Sequence, residues 1–235
     1  MIFEQFFEPV SSTFTYLLAC EKTRQAVLID PVESETARYL AALRERSLSL
    51  VYTLETHVHA DHVTAADTLR KRLGSKSVVH RDAGAMCGDL LVTDGIHLAV
   101  GLLDIEVRYT PGHTNGCVSY YVGNSIFTGD ALLIDGCGRT DFQQGDAGQL
   151  YDSIHNKIFT LPDDTLVYPG HDYRGNKVSS VGHEKRENQR LGRAISRDAF
   201  IDLMANLKLA YPKQIDVALP ANQACGNTTL KQSAS

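Results

Sequence analysis

Tryptophan is absent from this chain of 235 residues, and its five cysteines form no C-x-x-C pair. An odd number of scattered cysteines indicates neither a disulfide framework nor a thiolate zinc site, so we expect reduced thiols. Cys20 and Cys117 lie in apolar, strand-like segments and are expected in the core. Cys137 stands between two glycines, and the sequence leaves open whether it is a core or a site residue.

Long apolar runs and strong charge are missing as well. No segment reaches the roughly 18 apolar residues that a membrane span needs, and residues 1–8 lack the basic start of a signal or transit peptide. The net charge of −5 offers no basic stripe for nucleic acid. We therefore expect a cytoplasmic protein without membrane or nucleic-acid partners.

The remaining composition is that of an ordinary globular protein. Hydrophobic residues make up 43% of the chain and charged residues 22%, with no low-complexity stretch or repeat. A chain of this length can bury a full core without disulfides. The sequence predicts one domain over residues 1–235, with a polar, flexible tail over about 226–235.

The most informative feature is the segment T-H-V-H-A-D-H at residues 56–62, which holds three imidazoles and one carboxylate. It follows the apolar run of residues 50–54, so the cluster lies at the carboxyl end of a predicted buried strand, where α/β folds bind ligands. Imidazole and carboxylate are the ligands that zinc and iron accept. The segment therefore predicts a metal site.

Three further ligand candidates follow short β-prone runs downstream: His113, Asp130 and His171. A glycine directly before each of them permits a sharp turn toward a shared centre. One histidine beside a turn would be a weak signal, but several candidates in matching positions support the metal site.

The hydrophobic pattern alternates strands and helices. It predicts strands near residues 14–20, 25–30, 50–56, 77–80, 97–100, 104–109, 117–122, 125–129 and 165–168. It predicts helices near residues 34–46, 62–73, 147–160, 181–191 and 198–208. After residue 212 the pattern becomes irregular.

The order T-H-x-H-x-D-H, P-G-H-T, G-D and P-G-H resembles the metallo-β-lactamase superfamily over about residues 14–173. This resemblance implies an α/β fold, an αββα sandwich of two mixed β-sheets face to face with helices outside. In the dinuclear hydrolases of that superfamily, His57, His59 and His113 match one metal site, and Asp61, His62 and His171 match the second. Asp130 matches the ligand between the two sites.

The run G-C-G-R-T-D-F-Q at residues 136–143 resembles the persulfide dioxygenase family. The hydroxyacylglutathione hydrolases (glyoxalase II) carry a motif closer to G-C-G-[KR]-F-[FY]-E-G and a large helical C-terminal domain. Only 64 residues follow His171 here, which favours the dioxygenase. A dinuclear hydroxyacylglutathione hydrolase remains the alternative, and a non-enzymatic metal-stabilised scaffold is a third hypothesis.

The persulfide dioxygenase resemblance implies one Fe(II) per chain, bound by His57, His113 and Asp130 as a facial triad with open positions. The implied reaction oxidises the terminal sulfur of glutathione persulfide with O₂ to sulfite and releases glutathione. Four residues would then act from the outer shell, although their spacing also permits a second ion: His59, Asp61, His62 and His171.

Glutathione carries two carboxylates, so its site should offer cationic or hydrogen-bonding groups. By resemblance to the glyoxalase II motifs, Arg139 and Tyr173 are the predicted substrate-binding residues. Asp141 departs from the hydrolase motif and either contributes to substrate binding or forms an ion pair that fixes Arg139. Close relatives suggest a homodimer.

Overall fold

The computed structural model of the chain describes residues 1–227. It contains twelve strands: β1 (Ile2–Glu8), β2 (Thr13–Ala19), β3 (Gln25–Ile29), β4 (Ser49–Leu54), β5 (Lys76–His80), β6 (Leu90–Val92), β7 (His97–Val100), β8 (Leu103–Tyr109), β9 (Val118–Val122), β10 (Ser125–Gly129), β11 (Leu166–Pro169) and β12 (Ser179–Ser180). Its α-helices are α1 (Thr36–Glu45), α2 (Ala66–Leu73), α3 (Ala147–Ser153), α4 (Val181–Glu187), α5 (Arg197–Ala205) and α6 (Ile215–Gln223).

Two compact units share these elements. The first contains Met1–Val92, Ala99–Asp104 and the segment from Tyr211 onward, and the second contains Thr93–Leu98 and Ile105–Ala210. The first unit contains all strands of one six-stranded sheet, β1 to β6, and most residues of the other sheet, β7 to β12, belong to the second unit. None of the helices described over residues 1–227 is long and apolar enough to cross a membrane.

The sheet of the first unit has the strand order β1-β2-β3-β4-β5-β6. β1 to β3 pair antiparallel, whereas β3 to β6 pair parallel, so the sheet is mixed. Its parallel strands read as almost uninterrupted apolar runs because they are buried on both faces. The core on one side packs α1 and α2 residues such as Tyr39 and Leu69 against Phe6, Leu17 and Leu28.

The second sheet has the order β12-β11-β10-β9-β8-β7. β8, β9 and β10 pair antiparallel, whereas β10 and β11 pair parallel. The core of this unit gathers Ile126 and Val167 from the strands with Leu150 and Phe200 from the helices. Two mixed sheets with helices confirm the predicted fold class.

Several helix boundaries differ from the sequence prediction. α2 begins at Ala66 and not near residue 62, because the preceding residues form an irregular segment that is bridged to Val32 through Thr64. The helix predicted over 147–160 ends as α3 at Ser153 and continues as a π-helical turn, Ile154–Ile158. Gly74 ends α2 in the left-handed conformation (φ 73°), as its position predicted.

Three strands and one helix were not predicted: β1, β6, β12 and α6. α6 contains Pro220, which lacks the N–H of a helix interior and made this segment read as irregular. Of the tail predicted over about 226–235, Gly226 and Asn227 lie in hydrogen-bonded turns, and residues 228–235 lie outside the described residues.

The prediction of reduced thiols was wrong for one pair. Cys87 and Cys225 form a disulfide across a sequence separation of 138 residues. No spacing of cysteines in the sequence indicates this pairing, because the two residues become neighbours only in the folded chain. Cys20 and Cys117 are buried as predicted. Cys137 is a core residue beside Met204, and burial raises the pKa of its thiol to about 11.

Candidate metal centre

In the first unit, the T-H-x-H-x-D-H segment follows β4 without regular secondary structure. His57, His59 and His62 are all buried, and their rings form a row with centroid separations of 4.1 and 4.4 Å. Three imidazoles in contact within a protein interior do not arise from apolar packing. The close approach of these three rings therefore indicates that their nitrogens bind a ligand.

Asp30, which follows β3, organises the start of this segment. Its carboxylate accepts hydrogen bonds from the Thr56 backbone N–H and the Thr56 hydroxyl, both at 2.7 Å. Because the hydroxyl proton goes to Asp30, the Thr56 oxygen accepts from Nδ1 of His57 at 3.0 Å. Nδ1 of His57 thus carries the proton, and Nε2 carries the lone pair that a metal requires.

His59 is bonded to the same carboxylate. Its Nε2 lies 3.0 Å from Asp30 Oδ1 and 3.4 Å from Glu55 Oε2. Burial by itself lowers the pKa of His59, but the charges of Asp30 and Asp61 and the hydrogen bonds to Asp30 and Glu55 together outweigh this, so the pKa lies well above the usual 6.5.

Asp61 and His62 are paired with one another. Nδ1 of His62 donates to Asp61 Oδ2 at 2.8 Å, and the Thr13 hydroxyl donates to the same oxygen at 3.1 Å. Two buried nitrogens of this row, His59 Nδ1 and His62 Nε2, have no hydrogen-bond partner in the part of the chain described. His59, Asp61 and His62 also each offer a ligand atom within 4.8 Å of one another.

In the second unit, His113 and Asp130 lie close together. Nδ1 of His113 donates to the backbone carbonyl of Arg139 at 2.6 Å, so Nε2 carries the lone pair. That Nε2 lies 3.7 Å from Asp130 Oδ2. One imidazole lone pair and one carboxylate oxygen at this separation suit two ligands of a common divalent ion.

His171 follows β11 and orients Asp130. Its Nδ1 donates to Asp130 Oδ1 at 2.6 Å, while the other carboxylate oxygen faces His113. A Cβ at Gly170 would lie 2.7 Å from Asp130 Oδ1, so the glycine before this histidine allows the carboxylate to approach the turn. His171 therefore holds one oxygen of Asp130 through Nδ1, and its Nε2 keeps a lone pair.

The motif G-C-G-R packs directly against His113 and Asp130. A Cβ at Gly138 would lie 2.7 Å from His113 Nδ1 and 2.5 Å from the carbonyl oxygen of Asp130. Only glycine fits at such distances. The backbone that follows supplies the Arg139 carbonyl that accepts from His113. This motif thus holds the His113 ring in place, and its Arg139 side chain belongs to the predicted substrate site.

The guanidinium of Arg139 makes hydrogen bonds and a ring contact within the second unit. It binds both carboxylate oxygens of Asp141 at 2.6 and 2.7 Å, donates to the Ala210 carbonyl at 2.7 Å and lies 4.4 Å from the centroid of the Phe142 ring. The bonds from Arg139 lower the pKa of Asp141. Asp141 is therefore the ion-pair partner that the sequence offered as one of its two roles.

Tyr173 lies beside the metal-ligand candidates of this unit. Its ring stacks on His171 with a centroid distance of 6.0 Å and an interplanar angle of 7°, and 73% of the residue is exposed. Asp172 accepts from the N–H groups of Arg174 and Asn176 and so fixes the loop around it. An aromatic ring held at the surface in this way can contact a bound substrate.

Sequence reasoning missed three supporting residues of this centre: Asp30, Thr56 and Asn222. Asp30 had a usable signal, because it follows an apolar run just as the ligand candidates do. Thr56 was counted in the motif but given no role. Asn222 lies about 160 residues from its partners, and nothing local to it indicates the bonds that it makes.

The comparisons with known proteins agree with this geometry. The family model described as the metallo-beta-lactamase superfamily matches residues 9–171. The human protein named persulfide dioxygenase ETHE1, mitochondrial, is 50% identical over 232 residues, which cover 97% of this chain and 90% of the human protein. The crystal structure of ETHE1 from Myxococcus xanthus has a TM-score of 0.95 at 52% identity, covering 97% of this chain and 100% of that one.

The probable hydroxyacylglutathione hydrolase glo2 of Schizosaccharomyces pombe is more distant. It is 34% identical over 172 residues, which cover 69% of this chain and 64% of that protein.

Two mixed sheets with histidine and aspartate at the strand ends define a protein with the metallo-β-lactamase fold. Within that superfamily, the chain belongs to the family of the persulfide dioxygenases.

Proposed function

We propose that this protein is a glutathione persulfide dioxygenase with one Fe(II) per chain, bound by His57, His113 and Asp130. The observation that carries the proposal is the similarity to persulfide dioxygenases over 97% of the chain. The ligand chemistry supports it, because His57 and His113 each hold their proton on Nδ1 and so keep a lone pair on Nε2.

Two imidazoles and one carboxylate leave open coordination positions. Fe(II) bound there would make O₂ reactive and bring it close to the persulfide sulfur, and the electrons that reduce O₂ would come from that sulfur. In the net reaction, glutathione persulfide, O₂ and water give glutathione, sulfite and two protons. The terminal sulfur is oxidised, O₂ is reduced, and the sulfur–sulfur bond breaks with glutathione as the leaving thiol.

The chain's own residues would hold the ligands in the geometry that this reaction needs. Asp30 and Thr56 fix the ring of His57, and the Arg139 carbonyl fixes that of His113. His171 holds one oxygen of Asp130, which leaves the other oxygen for the ion. Preorganised ligands of this kind would raise the affinity of the centre for the metal.

Four residues would act around the ligands without binding the ion: His59, Asp61, His62 and His171. His59 would carry a positive charge beside the centre, because its pKa is raised by Asp30. Asp61 accepts the hydrogen bond of His62 Nδ1 and so fixes the direction of that ring. Their proposed task is to orient neighbouring groups and to shape the pocket for the persulfide sulfur.

Glutathione would be recognised by Arg139, Tyr173 and Asp141. Tyr173 offers an exposed ring with a hydroxyl group. Arg139 would meet a carboxylate of the peptide with its positive charge, and Asp141 would hold the guanidinium in a fixed plane. An Arg fork held in this way loses little side-chain entropy when it binds a carboxylate.

The test is elemental analysis of protein purified without added metal, combined with O₂ uptake in the presence of glutathione persulfide. We expect about one iron per chain, uptake only with the persulfide, and loss of both in His57→Ala. His97→Ala, an exposed histidine on β7, is the matched control and should keep both. Two zinc ions per chain without O₂ uptake would overturn the proposal.

A dinuclear hydroxyacylglutathione hydrolase is the second candidate. The observation in its favour is the group His59, Asp61 and His62, in which two buried ring nitrogens lack hydrogen-bond partners among the described residues. A second ion beside them would satisfy both nitrogens. Hydrolysis of lactoylglutathione by protein holding two metals per chain would establish this reading.

A cytoplasmic location, a single-domain organisation and a homodimer are also proposed. The human relative is named as mitochondrial, which gives a second candidate compartment. Fractionation of cells that produce the native protein decides between the two. Sedimentation at several concentrations measures the oligomeric state, and a single calorimetric unfolding transition would support one domain.

A further inference from the structure

Asn222, near the end of α6, makes three hydrogen bonds to the backbone of the segment that carries the metal-ligand candidates. Its amide nitrogen donates to the carbonyls of His59 at 2.9 Å and His62 at 2.7 Å, and its amide oxygen accepts from the N–H of Thr64 at 2.9 Å. The residue is only 4% exposed. One side chain thus binds both ends of the turn that follows His57.

Residues 55–63 lie in no helix or strand, so the backbone groups of this turn depend on partners outside a regular hydrogen-bond ladder. Buried carbonyl and N–H groups without partners are costly. The asparagine amide offers two donors and an acceptor in one plane, which matches the two carbonyls and the N–H that it meets. Aspartate has the same shape but would place an oxygen against two carbonyl oxygens.

The residues that follow α6 are bonded to α2 and to Cys87 within the first unit. The backbone N–H of Asp67 donates to the Cys225 carbonyl at 2.9 Å, and the disulfide ties the same residue to Cys87. Gly226 (φ 84°) packs so closely that a Cβ would lie 2.1 Å from the Thr64 carbonyl oxygen. Asn222 therefore lies on an anchored segment, residues 222–226, here called the platform.

A small cavity lies between this platform and the candidate ligand His57. His57, His59, Asn222 and Cys225 line it together with Glu55 and Val79. Because space exists beside His57, close packing alone does not fix this histidine from that side. The hydrogen bonds to the turn then become the restraint that acts from α6.

We propose that Asn222 is a positioning residue for the metal centre: its amide fixes the turn from His59 to Thr64. This turn carries the His59 ring, which contacts the ring of the candidate ligand His57 at a centroid distance of 4.1 Å. Asn222 thereby restrains the His57 ring in addition to the bond from Thr56. This inference rests on the proposed function for its catalytic consequence, but not for its effect on metal binding. The superfamily model ends at residue 171, so Asn222 lies outside the matched motif.

The experiment compares the whole protein with Asn222→Asp, Asn222→Ala and the control Val217→Ala, which alters an exposed residue on the same helix. Metal-free samples are titrated with Co(II), and the dissociation constant and the d–d absorption spectrum are recorded. We expect the affinity to fall 10- to 100-fold in both Asn222 variants, as for other groups that orient ligands, with a changed spectrum. Val217→Ala should match the wild type.

Thermal melting separates positioning from simple destabilisation. The titrations are made well below the melting temperature of each variant, where each is folded. If both Asn222 variants melt earlier but bind Co(II) with wild-type affinity and spectrum, Asn222 is only a structural anchor and the proposal is wrong. If the wild type binds Co(II) tightly but lacks persulfide-dependent O₂ uptake, the proposed function fails while the positioning role stands.

The iron-loaded protein gives a second readout under the proposed function. We expect kcat to fall about tenfold in Asn222→Asp at full iron occupancy, with KM for glutathione persulfide within twofold of the wild type. The reason is that a displaced His57 affects the centre and not the binding of the peptide. A change in KM alone would contradict the assignment.

Discussion

Nδ1 of His171 lies 2.6 Å from Oδ1 of Asp130, and the opposite oxygen of that carboxylate lies 3.7 Å from Nε2 of His113. Asp130 thus has one oxygen that accepts from Nδ1 of His171 and one oxygen that faces the Nε2 lone pair of His113. We propose that His171 orients this ligand, whereas its own Nε2 would bind an ion in the alternative, a dinuclear hydrolase.

The first prediction concerns this pair. His171→Ala should lower Fe(II) affinity or kcat about 10- to 100-fold but leave measurable activity, because Asp130 loses only an orienting bond. His57→Ala should abolish iron binding. Iron content and O₂ uptake with glutathione persulfide are the measurements. Equal and complete losses in the two variants would instead indicate that His171 is a metal ligand.

The second prediction compares two glycines of one motif. Gly138→Ala places a methyl group against His113 Nδ1 and the Asp130 carbonyl, so we expect metal affinity to fall at least about tenfold. Gly136→Ala is the matched control, because its Cβ would meet no atom within 4 Å. Metal titration of both variants checks this. Similar affinities in both would show that the backbone moves aside without effect on the ligands.

The third prediction concerns the disulfide. Under oxidising conditions, Cys87→Ser should lower the free energy of unfolding by about 2–4 kcal/mol, because the bond restricts a long stretch of the unfolded chain. In excess reductant the difference from the wild type should largely disappear. Guanidinium unfolding with and without dithiothreitol measures this. Five free thiols in protein prepared under oxidising conditions would contradict the pairing.

The fourth prediction is a pH dependence of stability at Glu8. Partial burial raises the pKa of Glu8, but hydrogen bonds from Ser11 and Val10 outweigh this, so the pKa lies below the usual 4.5. The unfolded chain then binds the proton more tightly. The stabilisation is present above about pH 4.5 and is lost as the pH falls through the lowered pKa.

Glu8→Gln should therefore cost about 1–2 kcal/mol at pH 7 and show a flatter loss of stability in acid. Melting temperatures between about pH 3.5 and 7 provide the measurement. Glu45→Gln, at an exposed position, is the control and should follow the wild type. A parallel loss of stability in Glu8→Gln and wild type would assign the acid response to other groups.

The fifth prediction tests the Arg139–Asp141 pair. In Asp141→Asn the guanidinium loses its charged partner, so KM for glutathione persulfide should rise several-fold while kcat stays within about twofold. Stability should change by less than about 1 kcal/mol, because Asp141 is largely exposed. Steady-state kinetics decide the outcome, with the exposed Asp164→Asn as control. An unchanged KM would leave the pair a purely structural contact.

The fold was predictable where the chain alternates clear apolar runs with turn residues. β2, β3 and β4 and helix α1 lie close to their predicted positions. α6 was missed because Pro220 obscures the helical pattern, and the start of α2 was misplaced because His62 is used in the metal segment. In both cases tertiary contacts outweigh the local preference that a sequence pattern reports.

The candidate site was predictable only in part. The seven histidine and aspartate candidates could be named because ligand chemistry restricts the residue types and strand ends restrict their places. The direction of each ring could not be predicted, because the tautomers of His57 and His113 depend on oxygens from Thr56 and Arg139. The same limit applied to Arg139, whose pairing with Asp141 was one of two roles that the sequence left open.

The sequence by itself determined which chemistry this protein can perform. The clustered ligands and the G-C-G-R-T-D-F-Q run indicated the persulfide dioxygenase family, because such features lie within a few neighbouring residues. Only the tertiary structure decided how that chemistry is supported. The Cys87–Cys225 bond, the charge pair of Asp30 and His59, and the hold of Asn222 on the ligand segment join residues up to 163 positions apart. Contacts at that range arise when buried polar groups find partners during folding, and no local pattern encodes them.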